Sequence, residues 1–584
     1  MTSQTEFGKK PTVDILWSIL DNHLHLVYQR HELGEVMFPM IVLRRMDCML
    51  ADVNDKVRAA YDKFHMVLPE DKLDLVLRKE AGGKRFYNTS RFSMKSLLDD
   101  PANLATNFRI YLSAFNREVQ DIFLKFELDK TCTKLIRNKL LFSLLQTMCE
   151  YDFRVETVSD HDMGYFFEEI IRLANENNAA TAGEHFTPRD AIRLMSAILF
   201  TPDARELRRK DIIRTIYDPT CGTGGMVNVG KKYIQEVICE GNEDITPAIK
   251  TFGQELNEQA YAIAKSEALI TEAEMDNIRQ GDTLTDDKFA HKTFNYIMAN
   301  PPYGINWTKE KLEVTAESLD PNGRFSAGLP RVSDGQLLFL QHMISHMDSN
   351  GAKVGVVTNG SPLFSGGADS GESNIRKMIL ERDMLDCIIA LPKDLFYNCG
   401  IYTYIWILSN HKPAERKGKV QLINATSFCK PAKKSLGNKR NDITQKDITA
   451  VLKIYQDFEE GKHCRIFRNE DFGYLLLTIE QPLRDEKGNV VLKAKKPVPD
   501  SSKRDSTERV PLSADVEKHF QAEVLPHIDP ESWVDYSKTK IGYEINFTQY
   551  FYEHEEGESA EVIAERVQDR QKELIEKLNA IFAD

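Results

Sequence analysis

Apolar residues recur at helical spacing in the first part of the chain. Ile15, Leu16, Ile19, Leu20, Leu26 and Val27 fall at the three-to-four-residue interval of a helix face, and charges interrupt the stretch 13–50. This is the pattern of a soluble helical domain, and it predicts helices through about residue 165. Residues 140–148 read as a further buried helix, and 165–175 (YFFEEIIRLAN) as the helix entering the next unit. From about residue 212 the period changes. Short apolar runs at 212–217, 248–252, 294–299, 353–358, 384–390 and 402–408 alternate with amphipathic stretches. Strands separated by helices predict an α/β fold with a mostly parallel, doubly wound sheet. Such sheets bind ligands at the carboxyl ends of their strands. After about residue 410 the pattern weakens. Residues 430–439 are basic and contain a glycine, and 493–509, rich in Lys, Pro and Ser, read as a loop or linker. The chain ends in an amphipathic helix, with Ile563, Val567, Leu574, Leu578 and Ile581 in one stripe.

A chain of 584 residues exceeds one ordinary domain. The pattern divides it into a helical part at 1–165, an α/β part at 166–470 and a C-terminal extension at 471–584. With 42% hydrophobic and 28% charged residues it can bury sizeable cores and is not a disordered chain. No run of about 18 uncharged apolar residues occurs, so no membrane span is expected. The first ten residues lack the apolar core of a signal peptide. The nine cysteines stand singly, from Cys48 to Cys464, without a CxxC pair. Neither a zinc knuckle nor a disulfide framework is indicated, and the expected compartment is a reducing cytoplasm. The net charge of −13 changes the picture of partners. A protein that grips DNA alone usually carries a basic face. The acidic balance fits either a partner that supplies part of such a grip or simple solubility.

Four short segments carry candidate chemistry. Asp218-Pro-Thr-Cys-Gly222-Thr223-Gly224-Gly225 directly follows a predicted strand. Its glycines permit a tight turn and close backbone approach to a ligand, and the next helix offers free N–H groups. A structural glycine turn would look the same. Gly253-Gln-Glu255 closes the next strand, where an acidic side chain can accept bonds from both ribose hydroxyls; a surface glutamate is the plain alternative. In Gly281-Asp282-Thr-Leu a carboxylate can accept the amino group of an adenine ring, or sit in an ordinary turn. Their order matches a nucleoside-binding sheet. The fourth segment decides the class: a strand runs into Asn300-Pro301-Pro302-Tyr303-Gly304. Two prolines fix the backbone and remove two donors. The Asn300 side-chain oxygen and the Pro301 carbonyl remain as acceptors for the two hydrogens of an exocyclic amino group. Tyr303 offers an aromatic face to a base drawn out of its stack.

Asn300–Tyr303 matches the NPPY motif of amino-methyltransferases, and the 218–225 segment resembles their loop for S-adenosyl-L-methionine (SAM). Upstream, Gly183-Glu184-His185-Phe186-Thr187-Pro188-Arg189 is similar to the GxxFTP segment of N6-adenine DNA methyltransferases. FTP, SAM loop, NPPY is the gamma-class order. Asp162-Met-Gly-Tyr-Phe-Phe-Glu-Glu-Ile-Ile, Asp334-Gly-Gln-Leu-Leu-Phe-Leu-Gln, Gly371-Glu-Ser-Asn-Ile-Arg-Lys and Leu391-Pro-Lys-Asp-Leu-Phe-Tyr-Asn-Cys-Gly-Ile resemble segments of type I modification (HsdM) subunits. The resemblance covers roughly 10–430 and is densest over 160–410.

The resemblance implies a Rossmann-like SAM-dependent methyltransferase sheet with an N-terminal helical domain and a C-terminal helical tail. It implies that Glu184, His185, Phe186, Thr187, Pro188 and Arg189 line the SAM pocket. Asp218, Gly222, Thr223, Gly224 and Gly225 would hold the methionine part, Glu255 the ribose and Asp282 the adenine. Asn300, Pro301, Pro302 and Tyr303 would hold the target adenine, and Phe396 would pack on the flipped base or serve as an ordinary core aromatic. No metal is required. Cys221 departs from the small residues usual in the loop, yet is small enough for SAM binding to survive. The implied substrate is double-stranded DNA in a prokaryotic cytoplasm. The implied partners are a specificity subunit flanked by two modification subunits and, beyond it, a motor-nuclease subunit. The C-terminal stripe would dock a partner or pack on its own domain.

Other readings compete. Enzymes that methylate glutamine side chains also carry NPPY, but they tend to be small, and the long N-terminal helical domain and FTP segment here favour DNA. A fusion with a nuclease would need a carboxylate–lysine cluster, which is not evident, and no GxxxxGK[ST] loop occurs for ATP-driven movement. Cytosine C5 chemistry uses a cysteine after proline, and the turn here has none. A non-enzymatic binding module would have no use for an intact NPPY.

Overall fold

The computed structural model describes residues 14–25, 27–29, 32–159, 162–163, 166–167, 169–170, 187–270, 277–397, 400–436, 438–552 and 560–581. The chain forms two compact units, Met1–Ile545 and Asn546–Asp584.

The first unit opens in helices, as the spacing predicts. Leu33–Leu50 is buried almost all round, so it shows no clean amphipathic stripe. Buried arginines tie it to the segment that leads onward: Arg45 donates to the carbonyls of Phe153 (2.6 Å) and Val158 (2.7 Å), and Arg44 to that of Tyr151 (2.8 Å). The buried helix expected at 140–148 is Leu141–Cys149. Of the helix expected at 165–175, residues 165, 168 and 171–175 lie outside those described.

The centre is a nine-stranded sheet. Its strands are β1 (Ile213–Asp218), β2 (Ala248–Glu255), β3 (Ile278–Gln280), β4 (Tyr296–Ala299), β5 (Lys353–Asn359), β6 (Leu385–Ala390), β7 (Thr403–Ser409) and β8 (Lys419–Asn424). A hairpin, β9 (Lys430–Leu436) with β10 (Lys439–Asp442), precedes the ninth strand, β11 (Cys464–Arg468). The spatial order is β11-β8-β6-β7-β5-β4-β1-β2-β3. Neighbours are parallel except where β7 lies between β5 and β6 and where β11 closes the edge. From β1 the chain winds outward through β2 and β3, then returns to place β4 on the other side of β1. That reversal opens a crevice at the carboxyl ends of β1 and β4, the favoured ligand position in a doubly wound sheet.

The six predicted strands are present, and the sheet gains β3, β8 and β11. β3 has three residues, and β11 (CRIFR) alternates arginine with apolar residues as an edge strand does, so neither makes an apolar run. The basic residues of 430–439 fall largely on the paired strands β9 and β10, and Lys439 is buried in an ion pair with Asp190 at 2.9 Å. Within 493–509, Leu492–Lys493 pairs with Lys496–Pro497. Arg509–Pro511 then joins Gly473–Leu476 and Lys540–Tyr543 in a small antiparallel sheet. These strands have two to four residues each, too short to show a period in the sequence.

The second unit contains the helix Ala560–Ile581, on which Ile563, Val567, Leu574 and Ile575 are exposed. The side chains of Leu578 and Ile581 lie outside those described. Among the described residues no helix is long and apolar enough to cross a membrane.

Candidate active site

Three loops meet at the carboxyl ends of β1, β2 and β4. Asp218 ends β1 and is 2% exposed. Its Oδ1 accepts from the Thr220 N–H at 2.9 Å. Burial raises its pKa to about 8; the Thr220 N–H opposes the shift and the charge of Glu255 adds to it. The chain then turns through Gly222 (φ +53°) and Gly224 (φ +86°), the left-handed region that glycine enters without strain. Gly224 caps the helix Gly225–Lys232. A Cβ on Gly225 would meet no atom within 4 Å, so open space lies before the helix start.

The loop rests on β2. Gly253 stands opposite Asp218 in the ladder, and a Cβ there would come within 2.8 Å of the Cys221 sulfur. Glu255 Oε2 accepts from the Gly222 N–H and Oε1 from the Asn257 N–H, both at 2.8 Å. Asp282 follows β3, and its Oδ1 accepts from the Leu284 N–H at 2.9 Å. The Thr283 hydroxyl donates to the Pro219 carbonyl, joining this turn to the first loop.

Asn300 stands one residue beyond β4. Its Nδ2 donates to Thr187 Oγ1 at 2.9 Å, and the Tyr303 hydroxyl donates to its Oδ1 at 2.7 Å. The Tyr303 and Phe396 rings meet edge to face, with centroids 6.5 Å apart. Thr187, Asp218, Gly222, Thr223, Gly225 and Asn300 line one cleft. Three segments far apart in sequence therefore converge on a space at the switch point of the sheet. Glu255 and Asp282 stand beyond it at the ends of β2 and β3, and Pro188 and Arg189 begin the helix Arg189–Phe200 without lining it. Glu184, His185 and Phe186 lie outside the described residues.

The N-6 DNA Methylase family model matches residues 158–472, more than half the chain, and the HsdM N-terminal domain model matches 12–148. The chain belongs to the N-6 DNA methylase family. Among the relatives of this methylase is the type I restriction enzyme MjaIX methylase subunit of Methanocaldococcus jannaschii, 29% identical over 323 residues, or 55% of this chain and 53% of that one. The MjaVII methylase subunit of the same organism is 26% identical over 464 residues, 78% of this chain and 74% of that one. The chain thus spans about half the length of the first relative and about three quarters of the second. In fold, the methylase is similar to the type I restriction-modification system methyltransferase subunit from Streptococcus thermophilus. The TM-score is 0.62 at 22% identity, over 79% of this chain and 96% of that one.

A buried network behind the site escaped the sequence reading. His342 and His346 lie one turn apart on the helix Gln336–Ser345 and its end, with Asp287 beside them; their donor atoms fall within 4.8 Å of one another. The hydrogen bonds decide what this cluster is. His342 Nδ1 lies 2.9 Å from Arg324 Nη1, which can only donate, so Nε2 carries the hydrogen and faces the Tyr217 hydroxyl at 3.1 Å. Burial lowers the pKa of His342 well below its usual value, consistent with a neutral ring. His346 sits between two acceptors, the Lys292 carbonyl at 2.7 Å and Asp287 Oδ2 at 2.9 Å, and donates to both. Burial opposes ionisation of Asp287, yet the hydrogen bond and charge of His346 hold its pKa at about 2. Arg324 also donates to the carbonyls of Thr283 (2.7 Å) and Leu284 (2.8 Å), the turn that carries Asp282. The cluster is therefore wired by protons and a guanidinium and braces the Asp282 turn beside the cleft. The two histidines four residues apart were its only visible signal in the sequence.

Proposed function

We propose that this chain is the modification subunit of a type I-like restriction-modification system, which transfers a methyl group from SAM to N6 of adenine in double-stranded DNA. A separate specificity subunit supplies the target sequence, flanked by two modification subunits, in a prokaryotic cytoplasm; a motor-nuclease subunit joins the same assembly. The observation that carries this reading is Asn300, held at the wall of the cleft by Thr187 and Tyr303, at the end of the strand next to the Asp218 loop.

The residues fit SAM. Gly225 leaves room for a ligand at a helix start, and Asp218 is a buried carboxyl that a cationic amino group would return to its charged form. In this reading Thr187 belongs to the pocket wall with Glu184, His185, Phe186, Pro188 and Arg189. Gly222, Thr223 and Gly224 cradle the methionine part, Glu255 meets the ribose and Asp282 the adenine. When bound, SAM supplies a methyl group activated by its sulfonium sulfur.

The chain's own part is positioning. Asn300 Oδ1 and the Pro301 carbonyl accept the two amino hydrogens of the extruded adenine, which turns the N6 lone pair toward the methyl carbon. Pro301 and Pro302 hold that geometry. The Tyr303 hydroxyl leaves Asn300 Oδ1 as the base enters, and its ring, backed by Phe396, stacks on the base.

Methyl transfer from labelled SAM to DNA, with and without the specificity protein, tests the reading. N6-methyladenine formed only with that protein is the expected result; no DNA methylation in either arm would refute it. Asn300→Ala should bind SAM as before and lose at least about 100-fold in transfer rate.

A further inference from the structure

We propose that the short helix Ser361–Phe364 is a DNA-backbone and base-stacking platform beside the target adenine: Phe364 stacks on a neighbouring base, and Arg331 holds a phosphate of the same strand. This rests on the reading of the Asn300 turn as a DNA-adenine site. The helix follows β5, the direct neighbour of β4, so it emerges at the same edge of the sheet as Asn300. Adjacent strands lie about 4.8 Å apart, so the helix stands within reach of a nucleotide next to the target.

The platform is built to be rigid. Arg376 is fully buried beneath it and donates to the carbonyls of Pro362 (3.0 Å), Ser365 (2.8 Å) and Tyr543 (2.6 Å). What this fixed element shows to solvent is an aromatic ring and a cation. Phe364 is 56% exposed. Ile401 and Tyr402, also exposed, extend the apolar surface just before β7, whose first residue, Thr403, stands opposite Asn359 at the end of β5. Phe364 and Tyr404 flank the space a Cβ on Gly360 would take, at 3.7 and 3.5 Å.

Arg331 supplies the charge. Its Nη2 donates to Ser361 Oγ (2.6 Å) and Ser365 Oγ (2.8 Å), the two hydroxyls that bracket the helix. Among the described residues Nε and Nη1 carry no hydrogen bond, and the side chain is 51% exposed. Two carboxylates lie close but are engaged. Asp334, 3.8 Å from the guanidinium, accepts from Ser361 and Gln336, and Glu372 accepts the Arg331 backbone N–H. A pre-oriented guanidinium fork beside an exposed ring matches a nucleic-acid strand, in which phosphates and base faces alternate.

The test uses the full chain assembled with its specificity subunit, genomic DNA lacking the modification, and labelled SAM. Phe364→Ala and Arg331→Gln are each expected to raise the KM for DNA about tenfold. The SAM dissociation constant should stay within about twofold and the melting temperature should not change. Phe364→Trp should retain wild-type KM, and Arg331→Gln should flatten the salt dependence of DNA binding. Unchanged DNA KM in both alanine and glutamine variants, with an active wild type, would overturn the platform alone. So would a loss traced in the same preparations to failed assembly with the specificity subunit, which would make this a protein contact. A wild-type complex that transfers no methyl to DNA would remove the functional reading itself, and the platform with it.

Discussion

At the scale of single residues, Asp218 couples the site to pH. Its carboxyl titrates near 3.9 in an unfolded chain and near about 8 in the fold. The folded state therefore holds the extra proton. The stability this gives is complete below about pH 4 and is lost as pH rises through about 8. A cationic ligand reverses the preference, because it stabilises the ionised form. SAM binding is expected to release a proton and to tighten with pH, by up to about tenfold per unit, levelling off near about pH 8. Calorimetry in buffers of differing ionisation enthalpy measures both effects, and Asp218→Asn should abolish them. A flat wild-type profile would mean that Asp218 faces no cation. The Asn300 turn was legible because two prolines leave few uses for an acceptor-rich strand end. Its partner was not: Thr187 lies 113 positions away, and no local pattern announces their hydrogen bond.

At the scale of elements, the Asp218 loop lies flat on β2 because Gly253 has no side chain. Gly253→Ala would set a Cβ 2.8 Å from the Cys221 sulfur and 3.0 Å from its Cβ. The expected cost is about 1–3 kcal/mol of stability together with weaker SAM binding, read by urea unfolding and calorimetry. Cys221→Ala removes the first clash but not the second, so the double variant should recover only part. Cys221 is thus a fitted residue, where the sequence alone presents it as a tolerated departure. The same scale explains which strands could be read. β5, β6 and β7 bury most of their residues and show as apolar runs. β11 pairs on one side only and carries arginines, so its pattern resembles a loop. Charges mislead in the other direction. Lys412, Arg416 and Lys439 are each at most 6% exposed, which the sequence gives no means of seeing. Their partners are Asp383, Asp386 and Asp190, and each pair closes only in the fold.

At the scale of the whole molecule, the cleft at Asn300 belongs to the unit Met1–Ile545, and the amphipathic C-terminal helix to the unit Asn546–Asp584. A chain ending before Ser559 is expected to bind SAM unchanged and to lose co-purification with the specificity subunit. Retention of the complex would relieve the helix Ala560–Ile581 of any docking role. Within the first unit, Arg324 joins helix, strand end and loop through Glu317, His342, Thr283 and Leu284. Arg324→Met would strand buried acceptors at His342, Thr283 and Leu284 and unpair the half-buried Glu317. A loss of about 3–5 kcal/mol in urea unfolding is expected, and a smaller effect would show that water replaces the guanidinium.

The reversed strand β7 has a consequence of another kind. Because it runs against β6, the connection from Leu391 to Tyr402, which carries Phe396, leaves and re-enters the sheet at the same rim. Its two ends are anchored side by side whatever its length. Doubling such a segment costs only about 0.6 kcal/mol in closure entropy. Its outer part can therefore lengthen or shorten while Leu395 and Phe396 stay packed in the core and the nine strands keep their register.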